Sequence, residues 1–272
     1  MYALELVRKR KRRIIAAVVG GIGTIGVATF SIAAFLGHRV GSFTVALETK
    51  NAKLTLSEKS SFQDRSSFLR VGEVPGFQNY TYSRFKSIGN DALDNEENDY
   101  TLGIRTNRKG NKFTDFLKYT FFIKNVGDDP ADYDFALQVK EIVASQNGQT
   151  LEDSFRVMIY EDGELYDKEG KINVYAKRLQ IPHLDENGQP DYRAPISVDE
   201  KDADLNYPFE GYAKMFSSST EVMSEHAIHL EAGEFRKYTI VTWLEGFQSA
   251  GDADTLRGAS IKLGVEINAY EN

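Results

Sequence analysis

Eight runs between Ser42 and Tyr270 alternate apolar and polar residues with a period of two. They are "SFTVALE" from Ser42, "KLTLSE" from Lys53, "LKYTFFIKN" from Leu117, "YDFALQVKEIV" from Tyr133, "SFRVMIY" from Ser154, "KINVYAKRL" from Lys171, "FRKYTIVTWLEG" from Phe235 and "ASIKLGVEINAY" from Ala259. Successive side chains of a strand point to opposite faces, so each run offers one apolar face. Val, Ile, Thr, Tyr and Phe dominate, and their branched or ring side chains suit a pleated, half-buried surface. "MSEHAIHLEAG", from Met223, reads as a further strand. Turn formers separate the runs: "NVGDDP", "SQNGQ", "EDGE", "DENGQPD", "EAGE" and "GDAD". In "NVGDDP", Asn125 and Gly127 are expected to close the turn by tolerating positive φ.

Eight or more strands without a convincing soluble helix predict an all-β protein, an antiparallel β-sandwich. Short helical turns are expected at 60–70 and 88–98. The stretch 181–210 holds four of the six prolines and little alternation, so it reads as a long excursion between strands. In "IVTWLEG", Ile240, Thr242 and Leu244 share one face, while Val241 and Trp243 share the other. Two apolar faces predict a central strand covered on both sides, with Trp243 in the core.

The N-terminus obeys a different rule. Six consecutive cations, Arg8–Arg13, precede an apolar run of 23 residues, Ile14–Leu36. As a helix that run is about 35 Å long, enough to cross a bilayer core of about 30 Å. The basic block stays in the cytoplasm, which sends the C-terminal side out. The expected domains are therefore a basic n-region (1–13), a transmembrane helix or signal core (14–36), and an extracellular sandwich (38–272). Ser31 and Ala33 place small residues at the −3 and −1 positions of a cut before Ala34, as a cleaved signal requires. The length of the run argues instead for a retained anchor.

Charge divides along the same boundary. Residues 1–37 carry net +5 against −7 for the whole, which leaves the remainder at −12. An acidic domain without a basic stripe repels nucleic acid, so no nucleic-acid partner is expected. The chain has no Cys, which excludes disulfides, thiol catalysis and thiolate-bound zinc.

Two segments carry a resemblance. "YTFFIKNVGDDPADYDFALQV" joins two strands through Asn-x-Gly-Asp. "LEAGEFRKYTIVTWLEG" runs from a Gly-Glu turn into a long strand. Both resemble exported Gram-positive proteins related to the biofilm-fibre protein TasA and to camelysin. The resemblance implies a signal cut near Ala33-Ala34-Phe35, followed by a jelly-roll or immunoglobulin-like sandwich. Leu36 and Gly37 stand where the family usually carries Asp.

Camelysin is described as a protease, so metal and nucleophile patterns matter. The four histidines are His38, His183, His226 and His229, and no His-Glu-x-x-His occurs. His226 and His229 are three apart, which on a regular strand puts them on opposite faces. Gly-x-Ser-x-Gly is absent, and the acidic runs at 91–99, 128–134 and 199–204 do not match a calcium loop. No catalytic, metal or cofactor residue is expected, and no enzyme activity.

The expected function is non-enzymatic: a cell-surface or matrix structural or adhesive protein, a candidate fibre subunit. Its partners are the membrane, through the N-terminal helix, and either further copies or another surface protein. Fibres can grow by donating a strand to a neighbour's sheet edge. The candidate donor strand carries Phe43, Val45 and Leu47. The rival expectation is a single-pass anchored ectodomain that binds a surface partner; a surface protease ranks last.

Overall fold

The computed structural model describes residues 30–33, 44–50, 53–70, 79–88, 93, 95–96, 103–106, 108–110, 112–162, 164–165, 174–196, 211–246 and 258–271. The first strands are β1 (Phe30–Ala33), β2 (Thr44–Lys50), β3 (Leu54–Ser57) and β4 (Phe68–Arg70). β5 (Asn79–Tyr80) leads into the helix α1 (Tyr82–Ile88), and β6 (Ile104–Thr106) pairs with β7 (Lys112–Thr114). Three long strands follow: β8 (Phe116–Asn125), β9 (Ala131–Val143) and β10 (Phe155–Glu161). Short pieces come next: β11 (Glu164–Leu165), β12 (Val174–Ala176), β13 (His183–Leu184), β14 (Pro190–Asp191), β15 (Pro195–Ile196), β16 (Gly211–Tyr212) and β17 (Lys214–Met215). β18 (Glu221–Leu230), β19 (Phe235–Glu245) and β20 (Ser260–Glu271) are the last.

The long strands form two sheets, and the protein is all-β. One sheet runs β18-β9-β20-β2-β4, with β1 also on β20. The other runs β17-β12-β10-β19-β8-β3, with β5 on β19 and β11 on β10. Consecutive long strands change sheet at β8–β9, β9–β10, β18–β19 and β19–β20. The two sheets share one apolar core. Val45, Tyr133, Phe135 and Ile267 enter it from the first sheet; Tyr119, Phe121, Tyr238 and Ile240 enter it from the second. The Phe135 and Tyr238 rings stack across the gap, their centroids 4.7 Å apart.

The two sheets bury their surfaces differently, as their sequences foretell. β9 alternates from Tyr133 onward, with Phe135, Leu137 and Val139 inward and Asp134, Gln138 and Lys140 outward. β8, β10 and β19 are buried on nearly every residue. A second cluster covers their outer face: Phe116, Met158, Tyr160, Val241 and Trp243 pack against Tyr82 and Phe85 of α1 and against Ala194, Ile196 and Ala213. The excursion after β12 is therefore a lid on this sheet, held by β15 pairing with β16. Trp243 lies fully buried beneath α1, 4.8 Å from the Phe85 ring.

Two expectations are corrected. A helix lies at 82–88, not at 60–70; of 89–98 only residues 93, 95 and 96 are described, and Leu93 is helical as expected there. Thr81 opens α1, its carbonyl accepting from the Arg84 N–H at 3.1 Å, and Tyr82 and Phe85 face the sheet. The 60–70 segment instead bridges back to β3 at Leu56–Ser66 and enters β4. The β8–β9 turn also closes differently. Buried Asn125 donates from Nδ2 to the carbonyls of Asp129 (2.8 Å) and Leu230 (3.2 Å), and its Oδ1 accepts from Gly127 N (2.9 Å). A Cβ at Gly127 would sit 3.3 Å from that of Lys53, so glycine serves close approach there. The positive φ belongs to Gly233 in the adjoining β18–β19 turn.

Candidate functional site

The N-terminal strands share one edge of β20. β2 runs parallel to β20 from Val45↔Val265 to Lys50↔Tyr270. β1 runs antiparallel along the remainder, from Phe30↔Leu263 to Ala33↔Ser260. Backbone donors and acceptors of a buried strand need partners, and β2 is too short to serve all of β20. Residues 30–33 are thus extended where the end of a helix over 14–36 was expected; the rest of that span lies outside the described residues. Ser31 and Ala33 of the candidate cut site lie in β1, while Ala34 lies outside the described residues. Phe43 of the candidate donor strand also lies outside them. Val45 and Leu47 lie in β2 and fill the chain's own core. Among the described residues no helix is long and apolar enough to cross a membrane.

Polar side chains gather on the outward face of the first sheet. β18 carries a bulge: Glu225 pairs with Phe135 and Ile228 with Tyr133, so two residues oppose Asp134. Ala227 takes φ 54 there. The extra residue resets the alternation, and His226 and His229 both face outward, which corrects the opposite-face expectation. Each meets an Asp of β9: His229 Nδ1 lies 2.7 Å from Asp132 Oδ1, and His226 Nδ1 lies 3.4 Å from Asp134 Oδ1. His229 Nε2 also lies 3.4 Å from Glu231. The Asp132 contact, then Glu231, raises the His229 pKa above its ordinary value. These pairs tie the edge strand to its neighbour. Among the described residues, no three His, Asp or Glu side chains are grouped to hold a metal ion. Asp185, in the nearest approach to a calcium loop, spends Oδ1 on its own turn, accepting from Asn187 N and Gln189 N.

Two polar networks are buried. At one end of the core, the Tyr133 and Tyr238 hydroxyls lie 2.8 Å apart, and Tyr238 donates to Glu161 Oε1 at 3.3 Å. Arg236 donates to the same oxygen at 2.9 Å. Burial raises both tyrosine pKa values, so the pair stays protonated. Under the lid, Arg156 of β10 is wholly buried. Its Nε and Nη2 donate to Pro195 O (3.3 and 3.1 Å), and its Nη1 donates to Asp153 O (2.7 Å) and Phe155 O (3.0 Å). Burial pushes its pKa down to about 10, opposed by the charges of Glu245 and Asp153. Glu245 Oε2 accepts from Trp243 Nε1 and Tyr82 N, so the network pins both α1 and the lid to the sheet. An Arg inside "SFRVMIY" was the signal available in the sequence.

The lid has its own half-buried cluster. Tyr212 is sandwiched: the Arg193 guanidinium lies 4.0 Å from its ring centre and His183 stacks at 5.4 Å. Asp191 binds Arg193 at 2.7 Å, and that hydrogen bond holds its carboxyl down at about 2.

No protein-family model matches the chain, and no curated protein does. Among solved structures, a β-glucosidase from Kluyveromyces marxianus in complex with glucose aligns with 91% of this chain at 11% identity and a TM-score of 0.23. The chain spans 16% of that enzyme's length. A likeness so slight carries no argument about fold or activity.

Proposed function

We propose that this chain is an exported, non-enzymatic structural protein of the cell surface or matrix, a fibre subunit built on a jelly-roll sandwich. The jelly-roll reading is supported by the strand orders β18-β9-β20-β2 and β12-β10-β19-β8, which interleave as two Greek keys do. The fibre reading rests on one observation: β20 is completed along a single edge by β1 and β2, the strands on either side of the candidate cut. A cut between Ala33 and Ala34 removes β1 and bares the edge at Ser260–Leu263. A strand of the next copy adds there through backbone hydrogen bonds. The donor is that copy's segment ahead of β2, from Ala34 to Phe43, while Val45 and Leu47 stay in the β2 of their own copy. A second reading, a permanently anchored ectodomain, is favoured by the 23-residue apolar run.

The test is the N-terminal residue and intact mass of the native protein, taken from both membranes and medium. The fibre reading expects a start at Ala34, with protein outside the membrane. A start at Met1, confined to membranes, overturns it and supports the anchored ectodomain.

A further inference from the structure

Lys118 is the chain's most deeply buried lysine among the described residues, 3% exposed. It sits opposite Val241 on the outer face of the second sheet, between Phe116 and Thr120. Its Nζ meets both carbonyl oxygens of Asn95, donating to the backbone O at 2.6 Å and to the side-chain Oδ1. Thr120 Oγ1 donates to the same Asn95 backbone O at 3.1 Å and is braced by Thr239 Oγ1 at 2.8 Å. Leu93, two residues earlier, is buried in the outer cluster. Asn95, itself exposed, is thus held against the amine by two side chains of one face of β8.

We infer that Lys118 and Asn95 are the two halves of an intramolecular amide cross-link. Oδ1 within hydrogen-bond reach of Nζ brings Cγ to about 3–3.5 Å, a separation from which attack proceeds once the amide turns its face to the amine. The neutral amine is the nucleophile, so the ammonium first has to lose a proton. The ammonium gives one proton to a carboxylate; Asp94 and Glu96 flank Asn95 in the chain. Nζ then bonds to Cγ, the Cγ–Nδ2 bond breaks, and ammonia leaves carrying one proton from Nζ. That ammonia recovers the first proton from the carboxylate and departs as ammonium. One N–H remains on the new amide, nothing is oxidised or reduced, and no co-reactant is consumed. The bond would staple the segment around Leu93 to β8, 23 positions on. This inference does not depend on the fibre reading.

Peptide mass mapping of the denatured full-length chain tests it. The expected result is one branched peptide joining the segments of Asn95 and Lys118, about 17 Da lighter than the two linear peptides together. Lys118→Arg and Asn95→Ala should each return linear peptides. Asn95→Asp should restore the branch with loss of water, about 18 Da, in place of ammonia. Recovery of unmodified linear peptides from the native chain overturns the proposal. So does the same 17 Da loss, about one ammonia, found within the linear Asn95 peptide, because that is a succinimide and joins nothing.

Discussion

Arg156 shows how one residue organises a covered surface. Four of its five N–H groups reach three backbone carbonyls, one of them in the lid, while Glu245 offsets its charge. Arg156→Ala is expected to cost about 3–5 kcal/mol, because it strands buried carbonyls and leaves Glu245 without that offset. The double change Arg156→Met with Glu245→Gln should cost less than the single one; urea midpoints of the two variants decide. His229 carries a pH dependence. Its folded pKa is raised, so its contribution is complete below the unfolded value of about 6.5 and is lost as pH rises through the folded one. Between about pH 6 and 8 the urea midpoint should fall more for the native chain than for His229→Gln. Parallel curves would remove His229 from the account.

Elements were legible where period two was unbroken. The runs from Ser42, Leu117, Tyr133, Ser154, Phe235 and Ala259 match long strands to within two residues at each end; one buried face forces the alternation in β9, and two buried faces fill β8, β10 and β19 with apolar residues. Of "KINVYAKRL", 171–173 lie outside the described residues, Val174–Ala176 are strand, and the second half turns to cover the outer face with Leu179. α1 escaped notice because seven residues are too few to establish a helical period. The bulge in β18 was invisible because an inserted residue leaves no compositional mark, and with it went the correct facing of the two histidines. The buried networks depend on tertiary placement, which alternation does not encode. At the bulge, Ala227 holds a left-handed φ that glycine adopts without steric cost. Ala227→Gly should therefore stabilise by about 0.5–1 kcal/mol, and Ala227→Val should destabilise. Equal midpoints for the two would refute the strain.

At the scale of the molecule, the strands nearest the two termini are neighbours. β2 pairs with β20 over six positions and seats Val45 and Leu47 in the core, whereas β1 supplies four short pairs at the same edge. A chain beginning at Ala34 should melt cooperatively. One beginning after Lys50 should not, because it bares the core-facing side of β20; thermal melts of both check this. Cooperative melting without β2 would mean the edge tolerates vacancy.

The β2–β20 pairing also sets a schedule for synthesis. Residues 45–50 wait for residues 265–270, which the ribosome adds 220 positions later. Until then the first sheet has no central strand, and β9 lacks its main partner. Contacts this distant in sequence form slowly. On the proposed export route, a chain threaded outward from its N-terminus therefore cannot complete its first sheet until β20 has emerged.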